Sequence, residues 1–166
     1  MRPPAISLDQ LAPLPVVYRA MIPPAYEDRN GHMNVRWYLA LYDEAGDAMY
    51  PILGLTADYF AASGMGGFDL EHHLWYAAEV HVGDIVVVTA RILARSSKLI
   101  HYMMFMVNET RGVLSSIFEC VHAHADLTAR CIAPFPAQVA GKIDAFIAAH
   151  RALDWSAPIS GSIRLN

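Results

Sequence analysis

Asn34-Val35-Arg36-Trp37-Tyr38-Leu39-Ala40-Leu41-Tyr42-Asp43-Glu44-Ala45-Gly46-Asp47-Ala48-Met49-Tyr50-Pro51-Ile52 is the stretch on which the fold turns. Tyr38, Leu41, Tyr42, Ala45, Met49 and Ile52 recur at three- and four-residue steps, the spacing of one face of an α-helix. Asp43, Glu44 and Asp47 fall on the other side. The first half is apolar nearly all round, which predicts a helix buried on most sides. Asn34 suits the N-cap, because its side-chain oxygen can accept a free N–H of the first turn. Pro51 and Gly54 mark the end.

Upstream, Pro15–Ile22 reads as a first strand, with Val16, Val17, Tyr18, Met21 and Ile22 as β-preferring or apolar bulk. Pro23-Pro24 stops it. Residues 1–14 read as a loose arm, and Tyr26–His32 as a polar loop turned by Asn30-Gly31. Downstream, a short helix is expected over Thr56–Ser63, then a break at Gly64-Met65-Gly66-Gly67. Strands follow at Phe68–Val80, Ile85–Ala94, Leu99–Asn108 and Val113–Ala125, with a short edge strand at Arg130–Ala133. An amphipathic helix covers Ala137–Leu153, and the tail beyond it is expected to be peripheral.

A helix that is apolar on most sides needs cover, and a meander of consecutive antiparallel strands supplies it. The expected class is α+β: a curved antiparallel sheet of about five or six strands wrapped around a long central helix, plus a C-terminal helix. A chain of 166 residues suits one domain, residues 1–166, with its core at 15–136 and the last helix and tail at 137–166.

Composition excludes several functions. Apolar residues make up 55% and charged residues 17%, which argues for a sizeable core and against disorder. A net charge of -4 speaks against a nucleic-acid binder. The twelve Lys and Arg are scattered, with no basic run for a membrane surface. No run of about eighteen apolar residues is present to span a bilayer. Met1-Arg2-Pro3-Pro4 lacks an export signal's apolar stretch, and Cys120 and Cys131 make no disulfide framework, so a cytoplasmic setting is expected. His122 and His124 alternate on a predicted strand, but the eight histidines include no HExxH, and neither metal nor cofactor is expected.

The chemistry lies just ahead of the helix, in Asp28-Arg29-Asn30-Gly31-His32-Met33-Asn34-Val35-Arg36-Trp37-Tyr38 followed by Asp43-Glu44-Ala45. This segment resembles the signature of the 4-hydroxybenzoyl-CoA thioesterase family of hotdog-fold enzymes. That signature is Asp-x-x-Gly-His-[Val/Met]-Asn leading into the central helix, with a Tyr one turn inside and an acidic-Ala pair, here Glu44-Ala45. Gly83-Asp84 before a strand, and Asp126 ahead of Pro134-Phe135-Pro136, also sit where the family places similar residues. The resemblance covers about residues 15 to 136.

The resemblance implies an acyl-CoA thioesterase. Asp28 would attack the thioester carbonyl or activate a water. Free N–H groups at the helix start, Val35 foremost, would receive the oxyanion. Gly31 would allow close approach of substrate, Asn34 would cap the helix or orient water, and His32 would hydrogen-bond Asp28 or the leaving thiolate. Trp37, Tyr38, Tyr42, Trp75 and Tyr76 either line an acyl pocket or fill the core, as their helical and strand spacing also allows. In a subset of the family a His stands seven residues after the Asp; Val35 is there instead, so no mechanism needing that His applies.

Coenzyme A phosphates would meet Arg91, Arg95, Lys98 or Arg111, and an acyl carrier protein would present the same pantetheine arm. Edge-to-edge pairing into a homodimer or homotetramer is implied. The acyl group is left open between short aliphatic, aromatic and trimethylammonium-bearing. Asp126–Arg130, Pro134-Phe135-Pro136 and His150-Arg151-Ala152-Leu153-Asp154-Trp155 resemble thioesterases of carnitine and betaine breakdown. There an aromatic pocket would hold the cation.

Two rival readings are a hotdog enoyl-CoA hydratase and a non-catalytic acyl-CoA-binding module. The hydratase pattern Asp-x-Asn-Pro-x-His needs His five residues after Asp and a Pro; here His32 is four after Asp28 and the Pro is absent.

Overall fold

The computed structural model describes residues 5–165. Its elements run α1 (Leu8–Leu11), β1 (Val16–Met21), a 3-10 turn (Pro24–Tyr26), α2 (Val35–Leu53), α3 (Ala57–Ser63), β2 (Met65–Tyr76), β3 (Ile85–Arg95), β4 (Leu99–Asn108), β5 (Val113–Asp126), β6 (Cys131–Ile132) and α4 (Ala137–Arg151). The strands form one six-stranded sheet in the order β1-β3-β4-β5-β2, with β6 on β5. The α+β class and the long helix ahead of the strand run are as the sequence predicts.

The simple meander is not. β2 precedes β3 in the chain yet pairs with β5 at the far edge. Residues 77–84 carry the chain across. Eight extended residues reach roughly 26 Å, and three strand spacings need only about 14 Å.

The residues cluster into two compact units that share the long elements. One holds the residues up to Ala48 with Leu74–Arg91 and Met104–Phe118; the other holds Met49–His73, Ile92–Met103 and Glu119 onward. In the first, Tyr38, Leu41, Tyr42 and Ala45 form the buried stripe of α2. Tyr42 stacks on Phe118 with centroids 4.8 Å apart, and its hydroxyl meets Ser116 Oγ at 2.7 Å. The helix is not buried on most sides, however: Val35 and Leu39 are 57% and 40% exposed, because the stripe packs on one side only. Nor is the segment before β1 a loose arm. Ser7 and Gln10 make a reciprocal capping box on α1, and Leu11 and Leu14 are buried; residues 1–4 lie outside the described part.

In the second unit, Thr56 caps α3 and Gly64, at φ 68°, ends it in the left-handed region. The break expected at Gly64-Met65-Gly66-Gly67 does not extend to Gly66 and Gly67, which lie inside β2. The reason is close approach. A Cβ at Gly67 would overlap the His122 imidazole and the Tyr50 hydroxyl, and one at Gly66 would come 2.9 Å from Leu127. The His122 ring cannot step aside freely, since Asp69 Oδ1 holds Nδ1 at 2.7 Å and Tyr50 holds Nε2 at 3.1 Å. Gly67→Ala is therefore expected to cost about 1–3 kcal/mol of stability. Thermal and urea unfolding check this, and an unchanged midpoint would contradict it.

The tail is also not peripheral. Ile163 is buried with Leu99, Val121 and Ala123. The Ser160 N–H donates to Glu119 Oε2 at 2.7 Å, while Glu119 Oε1 meets His101 Nε2 at 2.8 Å. Glu119 is fully buried and thus needs both partners.

Candidate active site

The turn ahead of α2 is built from its own polar groups. The Gly31 N–H donates to the Asp28 carbonyl and the Asp28 N–H to the His32 carbonyl, both at 3.0 Å. Gly31 sits at φ 78°, a conformation that other residues adopt at a cost. Below the turn, the Met33 N–H donates to the Val80 carbonyl at 2.7 Å and the Asn34 N–H to the Tyr26 carbonyl at 2.9 Å. These bonds fix the entry into α2.

The Asp28 carboxylate faces this entry. Its Oδ1 accepts the Asn30 N–H at 2.8 Å, and its Oδ2 lies 3.4 Å from Asn34 Nδ2. Asn34 Oδ1 in turn accepts the Arg36 N–H at 3.2 Å, so one amide touches both the carboxylate and the helix end. Val35 is the first helical residue, and its N–H has no partner within the helix. The positive end of the helix dipole adds to that donor.

Beside it opens a cleft of about 390 Å³, lined by Asp28, Asn30, His32, Met33, Val35 and Tyr38 on one side and Tyr76 to Glu79 on the other. Tyr38 and Tyr76 meet edge to face, centroids 5.1 Å apart. The Tyr38 hydroxyl donates to the Ala78 carbonyl at 3.4 Å, and burial pushes it up to about 12, so it stays protonated. The Glu79 carboxylate lies 4.0 Å from His32 Nε2 and 3.5 Å from His81 Nε2. Such a site sets a carboxylate beside the Val35 N–H and aromatic walls, an arrangement that suits acyl transfer to water.

Residues 22–143 match the family model described as the thioesterase-like superfamily. The chain belongs to that superfamily. Its enzyme class is thioester hydrolase. This thioesterase-like chain is 32% identical over 136 residues to a betainyl-CoA thioesterase of Pseudomonas aeruginosa, covering 82% of this chain and 86% of that one. It is 29% identical over 151 residues to an L-carnitine dehydrogenase/betainyl-CoA thioesterase of Rhizobium meliloti, a match that spans 91% of this chain but only 30% of that longer protein. The fold matches that of a hypothetical protein of Staphylococcus aureus solved in complex with CoA, at TM-score 0.80 and 20% identity, over 98% and 99% of the two chains. The hotdog fold expected from the sequence is thus the fold of the thioesterase-like chain.

The expected site residues divide. Asp28, His32, Val35 and Tyr38 share the cleft, Asn34 joins it through Asp28, and Gly31 shapes the turn. His32 does not hydrogen-bond Asp28; its Nδ1 is 3.2 Å from the Met33 carbonyl. Trp37 stacks on Tyr26 at 3.9 Å, with the Arg36 guanidinium 4.9 Å from its ring centre, outside the cleft lining. Tyr42 is 1% exposed and belongs to the core. Trp75 is half-buried, and its neighbour Tyr76 reaches the cleft instead.

Of the cations considered for phosphates, Arg91 is buried, Arg95 forks onto Asp144 at 2.7 and 2.6 Å, and Arg111 bonds Asp84 at 2.9 Å. Lys98 is half-buried. Ala77, Ala78 and Glu79 were not foreseen. The pair of alanines, weak strand formers, was the signal that β2 stops early. Among the described residues no group of three or more His, Cys, Asp or Glu could hold a metal, and no helix is long and apolar enough to cross a membrane.

Proposed function

We propose that the chain hydrolyses acyl-CoA thioesters whose acyl group carries a trimethylammonium cation, with Asp28 as the catalytic carboxylate. The observation that carries the reading is the composition of the cleft. The Asp28 and Glu79 carboxylates and the rings of Tyr38 and Tyr76 line it, and no Lys or Arg is among its described lining residues. A quaternary ammonium cannot donate hydrogen bonds, so aromatic faces and nearby carboxylates are what hold it. The kinship with a betainyl-CoA thioesterase of Pseudomonas aeruginosa supports the same acyl class.

In the reaction, Asp28 takes a proton from a water that adds to the thioester carbon, or adds to that carbon itself. The carbonyl oxygen gains charge and is received by the Val35 N–H and the helix dipole. The tetrahedral species collapses, the C–S bond breaks, and CoA leaves as thiolate and takes up a proton; where Asp28 has itself added, water then cleaves the resulting mixed anhydride, releasing the free acid and restoring the carboxylate. A pantetheine arm on a carrier protein would react in the same way.

The test is CoA release from betainyl-CoA against 3,3-dimethylbutyryl-CoA, its neutral isostere, followed with a thiol reagent. A preference of about tenfold or more for the cation is expected; equal kcat/KM values refute the acyl assignment.

A second copy of the chain is proposed as partner along β2. This strand is an edge of the sheet, runs over twelve residues, and exposes Phe68 and Leu70 at 66% and 49%. Long apolar edges invite strand pairing. Sedimentation at micromolar concentration should give a dimer or tetramer, and a monomer there would rule the pairing out.

A further inference from the structure

We infer that His81 is a positioning residue for the cleft, holding the tip of the Asp28 turn through the Gly31 carbonyl; this rests on the reading that Asp28 carries the reaction. His81 lies between β2 and β3 and does not line the cleft. Its Nδ1 is 3.0 Å from the Gly31 carbonyl oxygen. A carbonyl only accepts, so Nδ1 carries the hydrogen and donates it. On the other side of the ring, Nε2 lies 3.5 Å from Glu79 Oε2. One imidazole therefore touches the turn that bears Asp28 and a carboxylate on the opposite wall.

The ring is useful for this only because its own backbone is held. The His81 N–H donates to Asp84 Oδ2 at 2.8 Å, and the same oxygen accepts Asn108 Nδ2 at 2.7 Å and Arg111 Nε at 2.9 Å. The Arg111 N–H closes the set by donating to Asn108 Oδ1 at 3.1 Å. Asp84 is 5% exposed. Its burial alone would raise the carboxyl, but the three donors outweigh it and hold the group below the usual carboxylate range. A buried, charged carboxylate that gathers three donors on one oxygen is a rigid anchor.

The turn, by contrast, has little holding its tip. Arg29, Asn30 and Gly31 are exposed. Among the described residues, the His81 contact is the one hydrogen bond from residues 29–31 to a residue outside the turn. Gly31 is also the residue whose N–H closes the turn on the Asp28 carbonyl. Loosening it would let the carboxylate drift relative to the Val35 N–H, while Tyr38 and Tyr76, which lie outside the turn, still line the cleft. Displacements of about an ångström are enough to slow such a reaction strongly.

Two substitutions separate the contacts. Asn places an amide N–H near the position of Nδ1, and Gln places one near Nε2. In the full chain, on whichever acyl-CoA the wild type hydrolyses, His81→Ala should lower kcat about tenfold with KM within about twofold. His81→Asn should restore kcat to within about threefold of wild type, and His81→Gln should behave like Ala. Hydrogen exchange of the peptide amides over residues 28–33 supplies a readout free of turnover. Exchange should quicken in His81→Ala and return toward wild type in His81→Asn, with melting midpoints measured on all variants.

Undiminished kcat in His81→Ala, exchange over 28–33 unchanged by that substitution, or His81→Asn falling as far as Ala would each overturn the inference. Asp28→Asn run alongside keeps the two readings apart. If it retains activity while the His81 series behaves as stated, the role of Asp28 fails and the anchoring of the turn stands.

Discussion

Asp28→Asn is expected to lower kcat for CoA release by at least about a hundredfold while leaving the chain folded. The asparagine keeps a carbonyl oxygen that can accept the Asn30 N–H, so the local turn survives. What it loses is the negative charge beside the helix entry, and with it the ability to take a proton from water or to attack the carbonyl. The contact with Asn34 is long, at 3.4 Å, and Asp28 is half-buried, so little stability depends on it. A full steady-state curve with a thiol reagent, together with circular dichroism, checks both halves. Turnover within a few-fold of wild type would mean that another group activates the nucleophile.

The second large effect is discrimination by charge. Betainyl-CoA and 3,3-dimethylbutyryl-CoA differ in one atom, nitrogen for carbon, and have nearly the same shape. A partly desolvated cation over an aromatic face gains about 0.5–2 kcal/mol, and a carboxylate nearby adds to this at the effective dielectric of a protein surface. A sum of about 1.4 kcal/mol already corresponds to tenfold in kcat/KM. Glu79 is the informative residue, because its side chain is 65% exposed and contributes little to the core. Glu79→Gln should reduce the preference for the cationic thioester at least threefold and leave kcat/KM for the neutral isostere within about twofold. If both substrates fall together, Glu79 serves the reaction or the structure and not the choice of acyl group.

Periodicity made α2 and the strand run legible, because period 3.6 and period 2 are properties of the chain itself. β4 has its expected bounds, Leu99–Asn108, while β1, β3, β5 and α4 differ from their expected bounds by a few residues at most. Strand pairing was not legible: nothing in Met65–Tyr76 encodes that its neighbour is β5. Gly66 and Gly67 misled for a related reason. Glycine reads as a break, but here it makes room for Leu127, His122 and Tyr50, residues distant in sequence. The tail is expected to be peripheral, yet Ile163 packs beside Leu99 and Val121, a contact that only the folded sheet creates.

The site divides in the same way. The Asp28–Tyr38 segment is contiguous, so its motif could be read directly. Glu79, which lines the cleft, and His81, which bonds the Gly31 carbonyl, lie in another part of the chain and could not be. Tyr42 shows the limit of spacing: it shares a helical face with Tyr38, one turn away, yet it is sealed against Phe118 and Ser116 while Tyr38 reaches the cleft.

If the thioester reacts at the entry of α2, a crystal structure of Asp28→Asn with uncleaved acyl-CoA will show it there. The thioester carbonyl oxygen should lie within hydrogen-bond distance of the Val35 N–H, with the residue 28 amide facing the carbonyl carbon. An acyl-CoA bound with its thioester away from that helix end would contradict the account.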